Sequence, residues 1–154
     1  MPAHRAHGPL LTPALVDGRT EWFGFPGVAR PQGLACELLL VPLPGHSAGH
    51  AGVAVRDDDG RWLLHTGDAY LYHGEIEHTP ALCHPVLEPV QQGAQTDVAA
   101  RVAARDRLRD LRRDHAEEVT VFSAHDPWEL ARLAARAGGS SSRGARGARH
   151  GNMR

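Results

Sequence analysis

The sequence predicts a single mixed α/β domain, a mixed sheet covered by helices, and three observations carry that prediction. An apolar run, CELLLVPL at residues 36–43, is bounded by turn residues and fits a strand buried on both faces. Two β-rich runs, AGVAVRD at 51–57 and RWLLHT at 61–66, flank an acidic turn ending in Gly60 and read as a hairpin. From Thr96 the pattern turns helical, TDVAARVAARDRLRDLRRDHAEE, and is followed by a short β-branched run, VTVFS at 119–123, and a last helical stretch, PWELARLAAR at 127–136.

Taken in order, residues 1–35 are rich in proline and glycine around the aromatic knot EWFGFPGV and predict an irregular segment with short extended pieces. Residues 36–136 hold the domain. Between the hairpin and the long helix, residues 67–93 predict a long loop, a length that in compact domains is usually functional. Thr96 is the expected N-cap of the long helix, with Asp97 in its first turn and Val98, Val102, Leu108 and Leu111 on its apolar side. The arginines from Arg101 to Arg113 alternate with aspartates and predict a solvated face with i,i+4 pairing. Asp126 caps the last helix, and Pro127 suits its first turn. Residues 137–154, GGSSSRGARGARHGNMR preceded by alanine, predict a disordered tail, with no apolar residue capable of anchoring it.

Composition narrows the function classes. The chain has 154 residues, enough for one domain with one modest core. A net charge of −1 gives no overall field toward nucleic acid or a membrane surface, and positive charge unmatched by acid is confined to the region after Glu129. No apolar run approaches the length of a membrane span, and MPAHRAHGPLL lacks a secretory pattern, so a cytoplasmic location is expected. Cys36 and Cys83 lack CxxC spacing and are read as small apolar residues. Histidine stands out, with 11 in the chain, and position in the fold must sort them.

Three strands sort them. After CELLLVPL comes His46; after RWLLHT come Gly67 and Asp68; after VTVFS come His125 and Asp126. Rigid strands that project loop residues from one edge are how α/β proteins assemble sites. Imidazole nitrogen and carboxylate oxygen suit a divalent transition metal such as Zn2+, with His46, Asp68 and His125 as the ligands. Three ligands are an incomplete set for one metal and too few for two.

VPLPGHSAGHAGVAV, WLLHTGDAY and VFSAHDP, in that order, resemble the second half of a metallo-β-lactamase-fold hydrolase over roughly residues 36–136. The resemblance implies part of an αββα sandwich and a metal-dependent hydrolase acting on an ester, lactone, thioester or amide carbonyl of a small molecule through metal-bound hydroxide. It implies His46 and His125 on one metal each and Asp68 bridging the two, with catalytic as well as metal-binding work. His50 then holds the loop, His65 packs within its strand, and Tyr70 and Tyr72 are placed to meet a substrate oxygen or to pack. The superfamily's HxHxDH motif is absent; His4 and His7 do not replace it, and the chain is expected to begin after it. Two functions follow: an active hydrolase whose missing half comes from an upstream segment or a partner, or a truncated, non-catalytic half-domain.

Overall fold

The computed structural model describes residues 20–31 and 33–136. The tail expected to be disordered, and His4 and His7, lie outside them. The expected class holds: a mixed α/β chain with one mixed sheet and helices. β1 (Thr20–Trp22) and β2 (Phe25–Val28) form a two-stranded sheet, the extended pieces within the N-terminal segment. β3 (Leu38–Pro42), β4 (Ala51–Arg56), β5 (Trp62–His65) and β6 (Val119–Phe122) form the main sheet in that order. β3, β4 and β5 pair antiparallel, and β5 and β6 pair parallel. It follows that β3, β5 and β6 run the same way and end at the same edge.

Side chains alternate across a strand, so each strand buries every second residue. Leu39, Ala54, Leu64 and Val121 lie side by side in register on the buried face, each no more than 4% exposed. Leu38, Leu40, Val53, Val55, Leu63 and Phe122 share the opposite face and are only half-buried. β3 is thus covered on one face, not on both as expected. Phe25, Val28 and Trp62 extend the core, with Trp22 set edge-on to Trp62 at 5.6 Å. Leu64 sits at the centre, fully buried. Leu64→Ala is expected to cost about 3 kcal/mol, read as a lower urea midpoint with an unchanged slope.

The connection from β5 to β6 carries three helices: α1 (Gly74–Glu77), α2 (Leu87–Ala94) and α3 (Val98–Asp114). The long loop expected at 67–93 therefore contains two short helices. Capping also differs from expectation. Asp97, not Thr96, caps α3: its carboxylate accepts from Ala100 N at 2.9 Å, while the Thr96 hydroxyl donates to Gly45 O at 3.3 Å. The buried side of α3 is Arg101, Ala104, Leu108 and Leu111, and Val98 is exposed. The arginine face is not simply solvated, because Arg101 and Arg105 turn toward the buried carboxylate of Glu75. Residues 127–136 form a last helix, α4. Asp126 caps it as expected, accepting from Trp128 N at 2.9 Å and Glu129 N at 3.3 Å. Among the described residues no helix is long and apolar enough to cross a membrane.

Candidate metal centre

The shared edge of β3, β5 and β6 is where the three expected ligands lie. Beyond β3, Leu43 N donates to His50 O at 2.9 Å and closes the loop that carries His46. Beyond β5, Thr66 N donates to Phe122 O at 2.9 Å; beyond β6, Ala124 N donates to Gly67 O at 3.1 Å. These bonds hold the Asp68 turn against the His125 turn. Gly67 has φ 58°, and a Cβ there would stand 2.7 Å from His50 Nε2, so only glycine lets the two loops approach this closely.

Asp68 stands between two imidazoles. One carboxylate oxygen is 2.9 Å from His125 Nε2 and the other is 3.6 Å from His46 Nε2. All three side chains are solvent-accessible, with Asp68 34% exposed, so a small solute can reach them. His50 is not part of this trio but fixes it. Its Nδ1 lies 2.9 Å from Leu43 O and its Nε2 accepts from Asp68 N at 3.1 Å. Since a carbonyl only accepts, the proton is on Nδ1, and one ring joins the His46 loop to the Asp68 turn.

In donor chemistry, two imidazoles and a carboxylate fit a divalent transition metal. In arrangement they form two ligand pairs, His46–Asp68 and His125–Asp68, that share one carboxylate. Among the described residues no group of three His, Cys, Asp or Glu side chains closes around one point to hold a metal ion.

Side chains behind the edge pack against one another and brace it. Tyr70 is fully buried and its hydroxyl donates to both oxygens of Glu129, at 2.9 and 3.0 Å, so it packs and does not face a substrate. Tyr72 is half-buried against the His73 ring, 4.3 Å between centroids. His65 lies edge-on to Phe122 at 5.1 Å within the sheet, as a packed histidine would. His73 donates from its backbone N to Asp126 Oδ2 at 2.7 Å, its ring Nδ1 lies 2.7 Å from the same oxygen, and the ring stacks on Trp128. Burial alone would raise the Asp126 carboxyl, but the His73 and helix-end N–H groups outweigh it and hold it below the usual range. Glu75, Glu129 and His73 gave no sequence signal, since nothing in YHGEIE or PWEL marks a glutamate as buried.

Burial raises the Glu129 carboxyl above the ordinary glutamate value, against the opposing bonds from Ser123 N and Tyr70. A raised acid holds its proton in the folded state after the unfolded chain has released it. The contribution of Glu129 to stability therefore falls as pH rises from the ordinary glutamate value to the raised one. Glu129→Gln is expected to gain stability relative to the parent across that window, measured as the difference in urea midpoints between pH 4 and pH 7.

Similar proteins carry metal-dependent descriptions. A probable metallo-hydrolase of Mycobacterium bovis and one of Mycobacterium tuberculosis are each 35% identical over 129 residues, covering 82% of this chain and 41% of theirs. The chain thus spans well under half the length of the curated relatives it matches. No protein-family model matches the chain. A solved N-acyl homoserine lactone hydrolase with N-hexanoyl-L-homoserine at its catalytic metal centre is 21% identical, covering 62% of this chain and 33% of that one with a TM-score of 0.44. A quorum-quenching N-acyl homoserine lactone hydrolase is 22% identical, covering 60% and 33%, also with a TM-score of 0.44. Likeness at that level carries no conclusion about substrate. The mycobacterial relatives agree with the resemblance drawn from PGHSAGH, GD and SAHD: the chain is similar to part of a probable metallo-hydrolase.

Proposed function

We propose that this chain is the metal-binding C-terminal half of a hydrolase that acts on a small-molecule ester, lactone, thioester or amide carbonyl. The observation that carries the reading is the convergence of His46 and His125 on the two oxygens of Asp68 at one sheet edge. Zn2+ is the cofactor this donor set suits, with His46 and His125 offering Nε2 and Asp68 offering one oxygen to each side. A bound divalent metal supplies a Lewis acid for the carbonyl and acidifies water toward neutrality. The chain's own residues fix the ligands: His50 holds the Asp68 backbone, Gly67 admits that contact, and Asp126 holds the turn behind His125. Solvent reaches the edge, so a substrate carbonyl can be presented without a lid opening.

A second reading has its own support. Because no three side chains among the described residues close on one point, the half-domain by itself is an incomplete centre. The half-buried apolar face around Leu38, Leu40, Val53, Val55, Leu63 and Phe122 is the surface on which an upstream segment or a partner would supply the remainder. We place the protein in the cytoplasm, a compartment that suits the unpaired Cys36 and Cys83. Titration of the metal-free chain with Co2+, followed by absorption, separates the readings. Visible bands that saturate near one or two equivalents support the metal centre, and a featureless titration leaves the non-catalytic half-domain.

A further inference from the structure

Behind the site, on the helix side of the sheet, lies a buried cluster of charge that the proposed chemistry does not use. Glu75 is 2% exposed. Its Oε1 accepts from Leu71 N at 3.0 Å and Tyr72 N at 3.2 Å, on the segment that leaves Asp68. Its Oε2 faces Arg101 Nη1 and Arg105 Nη1, each at 3.6 Å, and among the described residues neither Oε2 nor Arg101 Nη1 has a hydrogen-bond partner. Arg109 Nη2 donates to Glu75 O at 2.9 Å.

The same part of α3 meets the His46 loop. Gly45 packs so closely on Arg101 that an added Cβ would lie 2.4 Å from Arg101 Cα. Gly45 O accepts from Thr96 N at 2.9 Å and Asp97 N at 3.0 Å at the start of α3. Glu75 thus grips the chain after Asp68, while its partners sit on the turn of helix against which the His46 loop rests. A looser ion cluster with orphaned polar atoms is a poor stabiliser, since burying charge costs more than such geometry returns. Burial and the neighbouring Arg105 indeed pull the Arg101 guanidinium below its ordinary value.

We propose that Glu75, through Arg101 and Arg105, is a positioning residue that sets the spacing between the His46 loop and the Asp68 turn. This rests on the metal-centre reading for its purpose, but its geometry can be tested on metal-free protein. The variant is Glu75→Gln, which keeps an acceptor for the Leu71 and Tyr72 amides and removes the charge. Hydrogen exchange is followed at Asp68 N, bonded to His50, and at Thr96 N and Asp97 N, bonded to Gly45 O. The expected result is exchange at least tenfold faster at these three amides with Leu64 and Val121 unchanged. The charge-balanced pair Glu75→Gln with Arg105→Gln is expected to show the same pattern, with core protection at Leu64 and Val121 kept and loop protection not restored.

Unchanged loop exchange in Glu75→Gln, or equal acceleration at Leu64 and Val121, overturns the proposal. If Glu75→Gln does not fold, the double variant alone decides by the same comparison. A Co2+ titration of the parent and of Glu75→Gln adds the functional arm, with at least tenfold weaker binding expected in the variant. A parent that binds no Co2+ defeats the metal-centre reading, while the exchange data still decide the role of Glu75.

Discussion

Asp68→Ala is expected to weaken Co2+ and Zn2+ binding at least a hundredfold, while stability from urea unfolding stays within about 1 kcal/mol of the parent. Among the described residues the carboxylate pairs with both candidate histidines, 2.9 Å from His125 and 3.6 Å from His46. Removing it leaves two imidazoles on separate loops with nothing between them. Stability should hold because the side chain is 34% exposed and its backbone N–H keeps its bond to His50 in the variant. Exposed ion pairs of this kind contribute about 1 kcal/mol or less. His46→Ala and His125→Ala each remove one side of the shared carboxylate and are expected to weaken binding less than Asp68→Ala. Equal affinity for metal in the parent and in Asp68→Ala would place the ion elsewhere and end the proposal for this edge.

Much of this edge was legible because its parts are local. An apolar run that stops at PGH, a hairpin that stops at GD and a β-branched run that stops at SAHD each place a polar residue just past a strand. Strand direction then brings His46, Asp68 and His125 to one side. The supporting role of His50 came with the resemblance, which makes the first histidine of PGHSAGH the ligand. What was not legible depends on partners distant in sequence. Glu75 looks like any acidic residue until Arg101 and Arg105 meet it from α3. Thr96 looks like a better cap than Asp97 until Gly45 O, 51 residues earlier in the chain, takes its hydroxyl. The apolar face predicted for α3 holds at Leu108 and Leu111 but not at Val98, which is exposed while Arg101 faces inward. The strand expected to be buried on both faces is half-buried on one, a quantity that an apolar run does not encode.

Gly45→Ala is expected to cost about 4 kcal/mol from backbone strain at positive φ and overpacking together. Gly45 has φ 137°, a conformation that L residues rarely adopt, and its missing Cβ would lie 2.4 Å from Arg101 Cα and 2.5 Å from Arg101 N. These neighbours are backbone, so no side chain can swing away to make room. Two relaxations are open. If α3 retreats, Thr96 N and Asp97 N lose their bonds to Gly45 O and the helix start frays. If the loop retreats, the same bonds to Gly45 O break but α3 keeps its packing, and His46, the next residue, moves away from Asp68. The first route appears as a lowered urea midpoint, and the second as weakened Co2+ binding with a smaller stability loss. Both measurements on the one variant tell which element yields. A Gly45→Ala protein with parental midpoint and parental metal affinity would contradict the close packing of this loop on α3.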